Sequence, residues 1–398
     1  MSPHFEPTPV RRLRKGNSLL ILSLISSALF QQTVVAWAQS NAAKPAPDVI
    51  VFTNGDQLTG TLERADGDSV VFKSDVVGEV TVSADKIKEL HAGGKFVALK
   101  KNEKITRTSK QPGTITYGDN AVSVADTSSS TPEVVPVKDL AHLINGVTYN
   151  KEVTSNPGVL SEWNGSISGG ITLVESTQTG QTYNLAANLI RLVPSVAFLP
   201  PRTRSTINVL ETYGKITQPV VPQTNPPTPD TVAKTNIFHA DAEHDKYFDA
   251  TRFYGLVGVS FDHNFAQGLN LQQIYGAGLG LTLIQTSVQQ LDVKADVHYE
   301  RQNFQPPTVS TNLVGSSFTE LYHRNLPAKM IFTESGTFIP AWNNFSDYSA
   351  IVAAGLQIPT YKRFSLNLNV LDNYLNNPAI GFKKNSLQFV TGVLYTLK

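Results

Sequence analysis

Phe364-Ser-Leu-Asn-Leu-Asn-Val370 and, after a turn-rich run from Asn373 to Lys384, Leu387-Gln-Phe-Val-Thr-Gly-Val-Leu-Tyr-Thr-Leu397 decide how this chain is read. Phe364, Leu366, Leu368 and Val370 alternate with Ser365, Asn367 and Asn369. Leu387, Phe389, Val393, Tyr395 and Leu397 stand against Gln388 and Thr396. A period of two marks strands with one oily and one polar face. The same pattern returns from Trp163 onward, and the chain begins with an export signal. Only helices and closed barrels satisfy their backbone groups inside lipid, so the reading is an all-β fold with a transmembrane antiparallel β-barrel of about twelve strands in an outer membrane.

Working outward, Arg11, Arg12, Arg14 and Lys15 precede an apolar run from Leu19 to Phe30, and Ala36-Trp37-Ala38 supplies small residues around one free position. This predicts a signal peptide over residues 1–38; the apolar run is shorter than the ~20 residues a membrane helix needs. Charged residues make up 16% of the 398, with 33 Lys+Arg against 32 Asp+Glu, which gives no basic surplus for nucleic acid. The chain has no cysteine, which excludes disulfides, thiolate catalysis, thiolate metal sites and a cysteine-borne lipid anchor.

After a linker over 39–47, short strands begin at Asp48, with Asn54-Gly55 as a hairpin signal. Gly60-Thr61-Leu62 is echoed by Gly113-Thr114-Ile115, Gly67-Asp68 by Gly118-Asp119, and Lys86-Ile-Lys-Glu-Leu90 by Lys138-Asp-Leu-Ala-His-Leu143. The near-constant offset, 51 to 53 residues, predicts two tandem SH3-like or Sm-like small barrels over 48–146, the second carrying a low-complexity loop at Thr127-Ser-Ser-Ser-Thr131. Placed in the periplasm, such units would take a periplasmic protein or glycan as partner. Asp56, Asp66, Asp68, Asp75 and Asp85 lack the spacing of a calcium loop and read as turn residues.

A second linker over 147–159 leads to the barrel, 160–398. Its clearest strand sets Leu291, Val293, Ala295, Val297 and Tyr299 against Asp292, Lys294, Asp296, His298 and Glu300. A charge at every second place faces lumen or water. Short turns are predicted near Phe198 to Arg202, Tyr247 to Asp249, Gln285 to Ser287, Asn325 to Pro327 and Pro359 to Tyr361, with longer connections at the alternate positions, among them Thr217 to Lys234, Phe304 to Ser316 and Asn373 to Lys383. If residues 48–146 are periplasmic, the short turns fall on the periplasmic side, as in known outer-membrane barrels.

His239, Asp241, Glu243 and Asp245 share a face of one strand. The chemical reading is a cation-binding strip, or an acid and base pair acting on lipid. The favoured reading is a lumen network in which these residues and Asp292, Asp296 and His298 pair with Arg252, Lys294 and Arg301, because buried carboxylates need partners. No Gly-x-Ser-x-Gly elbow is present, and Gly276, Gly278 and Gly280 alternate within a strand with no helix following, so no cofactor or metal is expected. Trp163, Tyr299, Tyr348, Tyr361 and Tyr395 read as interfacial girdles.

Asn376-Asn-Pro-Ala-Ile-Gly-Phe-Lys-Lys-Asn385 with Phe389-Val-Thr-Gly-Val-Leu-Tyr395, Arg252-Phe-Tyr254 and Gly276-Ala-Gly-Leu-Gly280 resemble the family of unknown function labelled salt-induced outer-membrane proteins, over residues 160–398. The resemblance implies a barrel, an outer-membrane location and a link to salt stress. The expectation is therefore a non-enzymatic envelope protein, either a narrow channel or a component of envelope integrity under osmotic stress, with outer-membrane lipid and the barrel-assembly machinery as partners. A lipid- or lipopolysaccharide-modifying enzyme and a soluble secreted β-protein are the alternatives.

Overall fold

The structure, a computed structural model, describes residues 47–398 other than 102, 104–109, 127–130, 156, 176–178, 197, 219–228, 249–251, 287 and 398. The signal peptide, most of the first linker and the core of the low-complexity loop lie outside the described residues.

The N-terminal half is built from β1 (Asp48–Phe52), β2 (Gln57–Asp66), β3 (Ser69–Ser74), β4 (Gly78–Ser83), β5 (Ile87–Lys100), β6 (Gly113–Gly118), β7 (Ala121–Ala125), β8 (Glu133–Pro136) and β9 (Leu140–Asn145). Its turns follow local chemistry. Gly55 takes φ 90°, and Asp119 and Asn120 take φ 52° and 56°, as a two-residue hairpin turn demands. The helical turns Ala84–Lys86 and Val137–Asp139 recur at the sequence offset. The expectation of two separate small barrels is corrected here: the halves merge into one nine-stranded sheet. β9 pairs with β2 of the first half, and β6 pairs with the first part of β5. One core serves both, with Ile50, Leu62, Phe72 and Leu90 packed in the same cluster as Ile115, Val122, Val135 and Leu143. Sharing strands lets both halves contribute to one larger core.

Past a short helix α1 (Gly146–Tyr149) and a π-helical turn (Asn150–Thr154), the chain enters the barrel. Its strands are β10 (Trp163–Glu175), β11 (Thr179–Val193), β12 (Thr203–Gln218), β13 (Thr231–Tyr247), β14 (Phe253–Asn264) and β15 (Leu269–Gln285). They continue as β16 (Gln289–Phe304), β17 (Thr311–Asn325), β18 (Ile331–Pro340), β19 (Tyr348–Tyr361), β20 (Phe364–Leu375) and β21 (Asn385–Thr396). All twelve pair with their neighbours, and β21 closes on β10. Large apolar side chains point outward around the ring, with Ile171, Leu185, Val257, Val297, Phe318, Val352 and Phe389 exposed. An apolar exterior that encircles a polar interior is the pattern of a barrel in lipid. Phe253, Tyr361, Phe364 and Tyr395 are exposed near one end, where β13, β19 and β21 meet their short turns or the terminus.

That end, called proximal below, carries the connections 248–252, 286–288, 326–330 and 362–363. The connection 194–202 breaks the expectation of a short turn there, and its reason is packing. Leu199, with Val196 and Phe198, joins Val97, Leu99, Ile144, Tyr149 and Val153 in a second apolar cluster. Arg64 lies 5.2 Å from the centroid of the Phe198 ring, and the Ser195 N–H and hydroxyl donate to Glu152 at 2.9 and 2.8 Å. The longest proximal connection is thus the fastening of the N-terminal sheet.

Two outcomes follow. Val297→Arg, at mid-height on the lipid face, costs about 2–4 kcal/mol in reversible refolding into vesicles, against about 0–1 kcal/mol for Tyr361→Arg at the rim; equal costs would deny a lipid-facing band. Burial opposes ionisation of Glu152, but Ser195 and Lys151 more than offset it and hold its pKa below the ordinary value of 4.5. The folded value is the lower one, so the stabilisation is present above 4.5 and is lost as pH falls through the depressed value. Glu152→Gln lowers the thermal midpoint of the N-terminal sheet at neutral pH and removes this part of its acid sensitivity; an unchanged midpoint would rule the fastening out.

Candidate functional site

The register decides which side chains enter the barrel. On β13 the odd-numbered residues face inward, so His239, Asp241, Glu243 and Asp245 share the lumen with Arg204 and Asn208 of β12 and Ser260 and Asp262 of β14. On β16 the even-numbered residues do so, from Asp292 through Lys294, Asp296 and His298 to Glu300.

At the proximal level Arg204 bridges two strands that are not neighbours. Its Nε donates to Asp245 at 2.6 Å and its Nη1 to Asp292 at 2.7 Å, four strands around the ring. Asp292 also accepts from Gln290 Nε2 at 2.9 Å and from the Thr282 hydroxyl. The guanidinium sits 5.0 Å from the Tyr254 ring centroid and 5.9 Å from that of Tyr247. Glycine at 280 makes this possible, since a Cβ there would stand 2.2 Å from the Tyr254 ring. Asp245 retains 1% exposure and Arg204 9%, so the level is dry. A charge buried so fully persists only with its partners in place.

One level further in, Lys294 Nζ reaches both oxygens of Glu243 at 2.7 and 2.8 Å. Beyond it, His239 faces Asp262 through Nδ1 at 2.6 Å and Asp241 through Nε2 at 2.9 Å. Asn208 donates to Asp241 at 3.0 Å, and the Ser260 hydroxyl donates to Asp262 at 2.7 Å. These side chains stay partly open to water, His239 at 32% and Asp241 at 27%. On β16, His298 Nδ1 faces Asp296 at 2.8 Å, Asp296 also accepts from the Ser317 N–H at 2.9 Å, and Glu300 accepts from Gln272 and Gln302.

Two of the residues expected in the network lie elsewhere. Arg252 sits in the turn before β14, where its Nη1 donates to the Leu283 carbonyl at 3.2 Å. Arg301 is odd-numbered on a strand whose inward positions are even, so it faces outward and donates to Asn303 at 3.3 Å. The cation that does the work expected of them is Arg204, which the sequence pattern did not single out. Its register partner Asp245 was the available signal.

The remaining wall is different in kind. Among the described inward positions of β10, β11, β18, β19, β20 and β21 there is no Asp, Glu, Lys or Arg; Ser168, Asn184, Thr337, Gln357, Asn369 and Gln388 typify it. The lumen therefore has one charged side and one neutral polar side. Chemically, the charged side offers paired ions. His239 has both ring nitrogens against carboxylate oxygens, and Ser260 donates to Asp262 and not to the histidine, so the order a nucleophilic triad requires is missing.

Residues 207–397, from β12 to the end of β21, match the model of the family described as "Protein of unknown function, DUF481". No curated protein matches the chain. Among solved structures it is similar to the beta domain of the Bordetella autotransporter Brka, with 10% identity and a TM-score of 0.28, over 59% of this chain and 97% of that one.

Arg204→Ala leaves two buried carboxylates unpaired and costs about 3–5 kcal/mol in the denaturant midpoint of the refolded barrel. Adding Asp245→Asn and Asp292→Asn to Arg204→Met restores most of it. A loss for Arg204→Ala under about 1 kcal/mol, as at exposed pairs, would show that the bridge does not hold the proximal level.

Proposed function

We propose that this chain is a non-enzymatic outer-membrane barrel that passes small solutes through a narrow lumen, with residues 48–146 on the periplasmic side. The observation that carries the reading is the interior itself. Every strand of the ring turns at least one polar side chain inward, among apolar ones such as Ile351 and Leu371, and the mid-level ions, His239, Asp241, Glu243 and Lys294, are partly exposed. A barrel that served only as an anchor has no need of water-facing charges in its centre, whereas a polar lining is what lowers the barrier to a hydrated solute. The apolar exterior around the full ring weighs against a soluble protein, which rarely exposes so wide an oily surface. The engagement of both His239 nitrogens weighs against a lipid-modifying acid and base, which need one free to move a proton. Outer-membrane lipid and the barrel-assembly machinery are the partners this reading entails, and the merged N-terminal sheet offers a periplasmic protein or glycan its surface.

Planar-bilayer recording on the purified, refolded chain, with and without residues 48–146, is expected to show reproducible single-channel steps. A folded barrel, shown by heat-modifiable gel migration, that stays silent at every voltage and with its distal connections shortened overturns the proposal.

A further inference from the structure

We propose that the connection 376–384 is a strap closing the distal mouth over an apolar constriction, and that passage through the barrel is decided there and not at the charged wall beneath. The inference rests on the conduit reading above and adds its regulation.

Topology makes the first argument. In the ring of twelve, the β14–β15 and β20–β21 hairpins are separated by β16 to β19 on one side and by β10 to β13 on the other. They stand opposite each other, so any contact between their loops crosses the mouth. Such contacts exist. The Ala379 N–H donates to the Gln267 carbonyl at 3.1 Å. Gln267 Nε2 in return donates to the carbonyls of Asn373 near the end of β20 at 3.0 Å and of Lys384 at the end of the strap at 2.7 Å. On its way the strap also meets the β16–β17 and β18–β19 connections, through Ile380 N–H to the Thr308 hydroxyl at 2.9 Å and Asn376 Nδ2 to the Ser346 carbonyl at 2.8 Å.

Beneath the strap the lining changes character. Leu269, Phe304 and Leu375 end three strands facing inward and pack with Ala379 and Phe382 of the strap. The seat is shaped for it: at Gly268, which takes φ 66°, a Cβ would stand 2.4 Å from that of Ala379. An apolar cluster packed across this part of the mouth disfavours water and hence hydrated solutes, until it is parted. The strap is built to part. It is a hairpin loop based on the Leu375 N–H bond to Lys384 O at 2.8 Å, its outer side is exposed at Ile380, and Gly381 turns at φ 88° with open space around it.

The chain is free of cysteine, so Thr308→Cys with Ile380→Cys introduces the sole thiol pair. Oxidised, the full-length double variant is expected to lose at least nine-tenths of its bilayer conductance, and reduction of the same sample to restore it. A second variant replaces 376–384 by an Asn-Gly turn and is expected to stay open longer than the parent. Equal conductance of oxidised and reduced samples, with the cross-link verified by mass, overturns the strap while leaving the conduit. Conductance of the shortened variant equal to the parent does the same. A shortened variant that is folded and silent overturns the conduit reading and the strap with it.

Discussion

Closure of the ring is the constraint on which the rest depends. Eleven strand pairs are made by neighbours in sequence, but the twelfth joins β10 to β21, and its register runs only from Ser166–Gly169 to Val393–Thr396. Inside lipid an unpaired backbone group has no water to turn to, so the seam must be made by the chain itself. Glycine makes it. A Cβ at Gly170 would lie 2.4 Å from the Thr391 carbonyl oxygen, and one at Gly392 would lie 2.7 Å from that of Gly169. The two backbones approach more closely than side chains permit, and a closed ring then separates an oily outside from a polar inside.

Once the inside exists, its charges have to be reconciled with it. Carboxylates on β13, β14 and β16 outnumber the cations, and the arrangement answers by reaching across the lumen. Arg204 spans from β12 to β16, and Lys294 from β16 back to β13. Both chords are short, direct ion pairs, the Arg204 one almost fully buried and the Lys294 one partly exposed, so the first depends more heavily on its partners. The neutral wall of Ser, Thr, Asn and Gln has no such obligation, because amides and hydroxyls can exchange one neighbour or water for another at small cost.

Much of this was legible in the alternation of oily and polar residues. Most of the twelve strands announce themselves by period two, β17 and β18 least clearly, and the shared face of His239, Asp241, Glu243 and Asp245 follows from it directly. What period two does not encode is which strands face each other across a lumen. Arg204 follows Pro200-Pro201-Arg202 at the very start of its strand, where alternation is not yet established, and its second partner is 88 residues away. Arg301 was misplaced by parity alone, since it follows Glu300 by one position. Arg252 lies in a turn, where facing has no meaning. In the N-terminal sheet the repeat of 51 to 53 residues is visible in the strands and in both helical turns. The exchange of strand edges between the copies is not, because an edge of β2 carries no local mark of whether β5 or β9 will cover it.

The two ends of the barrel are braced in opposite ways, and this orders the barriers along its axis. Proximally the brace is outside the ring: the connection 194–202 is pinned to the N-terminal sheet through Leu199 and to the helical turn behind it through Ser195, and the lumen at that level is narrowed on the β12–β16 side by Arg204 and its partners. Distally the brace lies over the opening and is apolar on its inner side. On the conduit reading proposed above, a solute entering at the distal mouth meets an oily barrier first, then a chamber with partly exposed ions on one side and amides on the other, and last a dry knot of ion pairs. The first barrier is a loop held by hydrogen bonds to neighbouring loops and by the packing of Ala379 and Phe382, with no buried charge. The last is held by buried charges on strands of the wall itself, each of which would lose its partner on moving. The loop is therefore the element with the freedom to respond, and the knot is the element that fixes the proximal width.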